Sequence, residues 1–201
     1  HLFMVEPGIV LRTAALLEPP HTVDDKLRGA ALYALDSFRH FRNRLGDVLT
    51  AVNASISHGI LRQLLHCTIQ RLRELAKAES SPPSFDVFVD ALMTLIANLA
   101  TVASGTSMAT GAGLVPQMLE LACIEAPTNY LVQRTSTRAV GLLDSILYAY
   151  PSTFQQFTAS HGIDVLVRRV ESDMSLEQGP EPLPYGRVHV LRQILRLFHH
   201  M

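Results

Sequence analysis

Three stretches of this chain open a helix in the same way, and that repetition limits the fold more than any other feature. Gly113-Leu114-Val115-Pro116 and Gly162-Ile163-Asp164-Val165 each set a glycine ahead of an apolar run. Counted from the glycine, apolar residues agree at +1 (Leu114, Ile163), +5 (Met118, Val167) and +8 (Leu121, Val170). A further copy stands upstream at Gly59, with Ile60, Leu64 and Cys67. Offsets of this kind share one helix face at 3.6 residues per turn. The copies lie 54 and 49 residues apart, slightly above the roughly 40–47 of armadillo and HEAT units. The predicted fold is all-α: an irregular armadillo/HEAT-like α-solenoid, a right-handed superhelix of stacked helices. Residues 1–201 read as one solenoid segment, with breaks near 79–84 and 174–186.

Taken in order, a helix over about Pro7 to Glu18 is stopped by Pro19-Pro20. Thr22 is the expected N-cap of the next, with Asp25 at N3. That helix carries Leu27, Ala31, Leu35, Phe38 and Phe41 at helical spacing, then Arg39, His40, Arg42 and Arg44 at its end. Cations there suit the helix dipole. The alternative use of Arg39, Arg42 and Arg44 is a docking patch for an acidic partner. A shorter helix follows over 46–54, then a long one from Gly59 to about Lys77 with Leu61, Leu64, Leu65, Thr68, Leu72 and Leu75 inward. Ser80-Ser81-Pro82-Pro83-Ser84 is a break, and Ser84 is the expected cap of a helix facing Phe88, Leu92, Leu95, Ile96, Leu99 and Val102 inward. Residues 129–150 form the longest predicted helix. A short one bears Phe154 and Phe157, the Gly162 helix ends near Asp173, and the last spans 187–201 with Val188, Leu191, Ile194, Leu195 and Phe198 inside. No segment alternates with period two. The last helix reaches Met201 without a cap signal, so the chain reads as a fragment of a longer one.

Composition narrows the partners. Hydrophobic residues make up 48% and charged residues 17%, against about 25% charged in an ordinary soluble domain. Solenoid units whose ends are covered by neighbouring repeats would have this balance. The net charge of −1 gives no strong nucleic-acid signal and no field toward an anionic membrane. The apolar part of the uncharged run from Ala91 to Leu119 is the 12 residues Ala91 to Val102, which already include Thr94, Asn98 and Thr101, where a span needs about 20. A buried core helix is expected there, and no membrane partner. Cys67 and Cys123 both fall in helical patterns without a nearby second cysteine, which favours a reducing compartment, cytoplasm or nucleus. No secretory signal opens the chain, so the sequon Asn53-Ala54-Ser55 is expected to stay unmodified.

Catalytic chemistry finds little purchase. Gly105-Thr106-Ser107-Met108-Ala109-Thr110 resembles the serine motif of subtilisin-type proteases, but it continues into glycine rather than proline. The companion Asp and His motifs and the α/β sheet beneath such a site are missing. His161 and Asp164 are three apart at a helix start, yet no third ligand type sits near them. No phosphate loop of standard pattern occurs. No catalytic, cofactor-binding or metal residue is assigned. Arg168-Arg169, Arg187, Arg192 and Arg196 read as solvated faces, the alternative being a groove contact to an acidic peptide.

Several ordered motifs carry a family resemblance. Leu35-Asp36-Ser37-Phe38-Arg39-His40, Asp47 to Val52 and His58-Gly59-Ile60-Leu61 resemble the N-terminal regions of the giant HECT-type E3 ubiquitin ligases, the HUWE/Tom/UPL group. Gly113 to Pro116, Ala139 to Asp144, Phe154 to Ile163, Arg169-Val170-Glu171 and the closing helix continue it in order. The resemblance implies a non-catalytic armadillo-like scaffold or substrate-binding segment. Its partners would be protein substrates or adaptors and the adjoining repeats of a parent chain. Ubiquitin transfer would be done by a HECT domain outside these residues, so neither Cys67 nor Cys123 takes a catalytic role. The other readings are a free-standing armadillo adaptor and, from a different class, an enzyme using Ser107.

Overall fold

A computed structural model describes residues 3, 6–18, 24–41, 43–53, 59–102, 113–177 and 183–201. Among these the chain is all-helical, with ten helices and no strand. The helices are α1 (Ile9–Ala15), α2 (Asp25–Phe38), α3 (Leu45–Asn53), α4 (Ile60–Leu75), α5 (Pro83–Ala100), α6 (Leu114–Ala122), α7 (Tyr130–Ala149), α8 (Thr153–Ala159), α9 (Gly162–Glu177) and α10 (Tyr185–His200). They fall into two compact units, residues 1–65 with 82–108 and residues 66–81 with 109–201.

In the first unit α2 and α5 make the most extensive packing. Ala31, Leu32, Leu35 and Phe38 of α2 are buried, as are Phe85, Phe88, Val89, Leu92, Leu95, Ile96 and Leu99 of α5. Two polar bridges cross this pair. Tyr33 Oη donates to Asp90 at 2.8 Å, and Asn98 Nδ2 donates to Asp36 at 2.8 Å. By length and composition α5 could cross a membrane, but more than half of it is buried, the placement of a core helix.

Several local expectations change. The N-cap of α2 is Asp24, whose carboxylate accepts from Lys26 N; Thr22 lies outside the described residues. Leu27 is exposed while Leu32 is buried, and Phe41, beyond the end of α2, is exposed too. Helix α5 starts at Pro83, ahead of Ser84, since a proline at N1 loses no intrahelical donor. In the second unit α9 runs past the expected end near Asp173 to Glu177. Pro19-Pro20, Ser107 and the remainder of the sequon after Asn53 also lie outside the described residues.

The second unit is built on α7, packed on α6 and α10. Leu131, Val132, Ala139, Val140, Leu143 and Ile146 are buried along it. Its polar residues close the ends of its neighbours. The Asn129 side chain accepts from Val132 N as the N-cap of α7 and donates to Leu75 O and Ala78 O at the end of α4. Gln133 donates to Ala126 O and Pro127 O, and Ser136 to Leu121 O. Helix C-termini leave carbonyls without intrahelical donors, and buried ones need partners.

Helices α4 and α6 each begin after a left-handed glycine, Gly59 (φ 78°) and Gly113 (φ 73°). Before α9 the left-handed residue is His161 (φ 53°), one position ahead of Gly162. Gly162 is needed for another reason: a Cβ there would run into the Phe157 ring. The third copy is therefore counted from His161. Its +1, +5 and +8 positions are Gly162, Leu166 and Arg169, all buried. The predicted inward residues Ile163 and Val167 are 45% and 38% exposed. Cys67, the +8 residue of the first copy, is exposed too. Helix α10 shows a similar offset: Arg187, Val190, Ile194 and Leu197 are buried, and Val188 and Leu195 are exposed.

Candidate functional site

In the second unit the end of α4, α6 and α9 border one groove. Arg73, Ala76 and Lys77 at the end of α4, Pro116, Leu119, Glu120 and Cys123 at α6, and Val165 of α9 line it, together with Ile124, Glu125 and Ser160. Its volume is about 620 Å³, the size of a site for a small molecule or a few residues of peptide. Ala76, Pro116, Leu119, Ile124 and Val165 supply the apolar lining. Arg73 donates to Glu120 at 3.0 Å. Glu125 accepts from Ser172 at 2.7 Å. Lys77 is exposed and has no ion-pair partner among the described residues. The Cys123 thiol is half-buried in the groove and contacts Val165 O at 3.9 Å. Burial pushes this thiol above its ordinary value of 9.0, against the lowering pull of Arg169 and Arg168, so it stays protonated at neutral pH.

Beneath the groove lies a charged cluster. Arg169 Nε donates to Asp173 at 2.9 Å, and its Nη1 donates to Ala122 O and Ile124 O at 3.1 and 2.9 Å. Arg187 Nη2 reaches the other Asp173 oxygen at 2.6 Å and stands 3.8 Å from Glu125. Arg169, Asp173 and Arg187 are all buried, which corrects the solvated-face reading of both arginines. The guanidinium of Arg169 closes the carbonyl end of α6, where the dipole favours a cation. Asp173 then balances two arginines, and a buried charge needs such pairing. The cluster ties α6, α9 and α10, and it holds the wall of the groove at Glu125.

Elsewhere the predicted residues are placed as follows. Arg39 pairs with Asp36 at 2.7 Å, and Arg44 pairs with Asp47 at 2.6 Å while its guanidinium lies 4.7 Å over Phe3. Arg42 lies outside the described residues. His161 and Asp164 form an exposed pair at 3.6 Å. Among the described residues no three His, Cys, Asp or Glu side chains converge as metal ligands would. The groove residues Arg73 and Lys77 were missed as site residues. A signal was present: His66, Gln70, Arg73 and Lys77 recur at i, i+4, i+7 and i+11, one exposed polar stripe.

Comparison with known proteins agrees with the family resemblance. The chain is related over most of its length to the TOM1/UPL/ptr1 group of HECT-type E3 ubiquitin ligases. Residues 1–70 match a family described as Domain of Unknown Function (DUF908), and residues 137–201 match another, Domain of Unknown Function (DUF913). It is 25% identical to "E3 ubiquitin-protein ligase TOM1-like" of Neurospora crassa over 96% of its own length. It is 24% identical to "E3 ubiquitin-protein ligase ptr1" of Schizosaccharomyces pombe over 92%, and 28% identical to "E3 ubiquitin-protein ligase UPL1" of Arabidopsis thaliana over 86%. The chain spans only 4–5% of the length of these relatives. No solved structure matches it.

Proposed function

We propose that this chain is a non-catalytic, armadillo/HEAT-like solenoid segment of an E3 ubiquitin ligase, used to bind protein substrates or adaptors. The observation that carries the reading is similarity along most of the chain to proteins named as E3 ubiquitin-protein ligases. Two features of the chain support it. Its helices α4, α6 and α9 start alike and border one groove, as repeated helices do in binding solenoids. Its Cys123 suits structure rather than transfer: it is held as a thiol, whereas a nucleophile needs the thiolate. Two free cysteines also fit a cytoplasmic or nuclear setting.

The test is deletion of these residues from a full-length ligase. Ubiquitination of substrate is expected to fall while ubiquitin loading on the ligase persists. Loss of loading in a ligase that still folds would contradict the non-catalytic reading. Unchanged modification of every substrate would contradict the binding role.

A further inference from the structure

Two cations and two carboxylates line the groove at α4, α6 and α9, and the one of them without an ion-pair partner among the described residues, Lys77, indicates its ligand. Its carboxylates are engaged: Glu120 with Arg73, and Glu125 with Ser172 and near Arg187. Arg73 is engaged as well. Lys77 remains, an exposed ammonium at the mouth of an apolar trough. The trough has room for one large aliphatic side chain against Pro116, Leu119, Ile124 and Val165, with backbone on either side. A basic segment would bring like charge to Lys77. A wholly apolar one would leave the ammonium partly desolvated without compensation.

We propose that this groove binds a short linear protein segment that presents an aliphatic residue next to a carboxylate, the aliphatic side chain seated in the trough and the carboxylate paired with Lys77. The inference rests on the substrate-binding reading above and adds the class of segment recognised. The aliphatic anchor gives the contact its affinity. The ion pair at the exposed rim sets direction and charge preference, since rim charges contribute more to selectivity than to strength. Cys123 plays no chemical part; it reports occupancy, because a seated side chain would cover its thiol.

The experiment follows alkylation of the two cysteines by iodoacetamide at mildly alkaline pH, resolved by mass spectrometry. Cys67, exposed on α4, is the internal control. The probe is a blocked Gly-Ser-Leu-Asp-Glu-Ser-Gly peptide at concentrations up to about 1 mM, the affinity range of a single small anchor. The expected result is that the peptide slows Cys123 labelling about fivefold or more and leaves Cys67 unchanged. Replacing Leu by Ala in the peptide should abolish protection. Replacing Asp-Glu by Asn-Gln should weaken it. Lys77→Glu, on an exposed turn, should weaken the acidic peptide and favour a Lys-Lys version. Absence of protection at Cys123, or equal protection by the acidic, amide and basic peptides, would overturn the proposal. Either of those outcomes leaves the deletion test of the ligase untouched, so the two failures are distinguishable.

Discussion

Helices α6 and α9 start from the same backbone device, yet one buries only apolar residues at the shared positions and the other buries an arginine among them. Each follows a left-handed residue, Gly113 or His161, and each turns its +1, +5 and +8 positions inward. In α6 those positions are Leu114, Met118 and Leu121; in α9 they are Gly162, Leu166 and Arg169. Three apolar residues of α9, Ile163, Val167 and Met174, are left outside. The geometry of a repeat and its interior chemistry are thus separable. Position is set by where the chain turns and by what approaches the turn. A charged residue is tolerated inside when a neighbour's helix end needs it.

The largest expected break in this comparison is Asp173→Ala. It leaves Arg169 and Arg187 buried without their shared carboxylate, which should cost about 3–5 kcal/mol in denaturant unfolding. A cost below about 1 kcal/mol would mean that water or relaxation supports the cluster. On the apolar side, Met118→Ala in α6 should cost ~2–5 kcal/mol through the cavity it opens. Gly162→Ala forces the new methyl into the Phe157 ring; about 1–3 kcal/mol is expected, and a neutral variant would show that the ring can step aside. His161→Gly should sharpen the likeness of the two starts and raise stability by up to about 1 kcal/mol, because a left-handed non-glycine is strained. Val167→Ser should fall within about 0.5 kcal/mol. A larger loss would place that side chain inside and restore the original phase.

Much of the fold was legible. The long stripes of α4, α5 and α7 are buried where periodicity put them: Leu64, Leu65 and Leu72; Leu92, Leu95 and Leu99; Ala139, Leu143 and Ile146. These helices are long enough for a burial pattern to repeat. Phase failed in α9 and α10, where apolar residues occupy two adjacent stripes about 100° apart. Apolarity alone then selects the wrong one, and the deciding facts are non-local: the carbonyls of Ala122 and Ile124 and the ring of Phe157. The candidate groove was legible only in pieces. Its helices were marked by the repeat, but Lys77 and Cys123 become neighbours of one cavity through packing across about 45 residues of sequence, a relation that no local spacing encodes.

The outward stripe of α9 bears on how the molecule behaves in concentrated solution. Ile163, Val167 and Met174 lie along one side of a helix at the spacing used by helix seams. Contacts made through such a stripe are solvophobic rather than coulombic. Self-association through it should tighten in ammonium sulfate and loosen at low temperature, the reverse of what charge screening would do to a pairing between ionic faces.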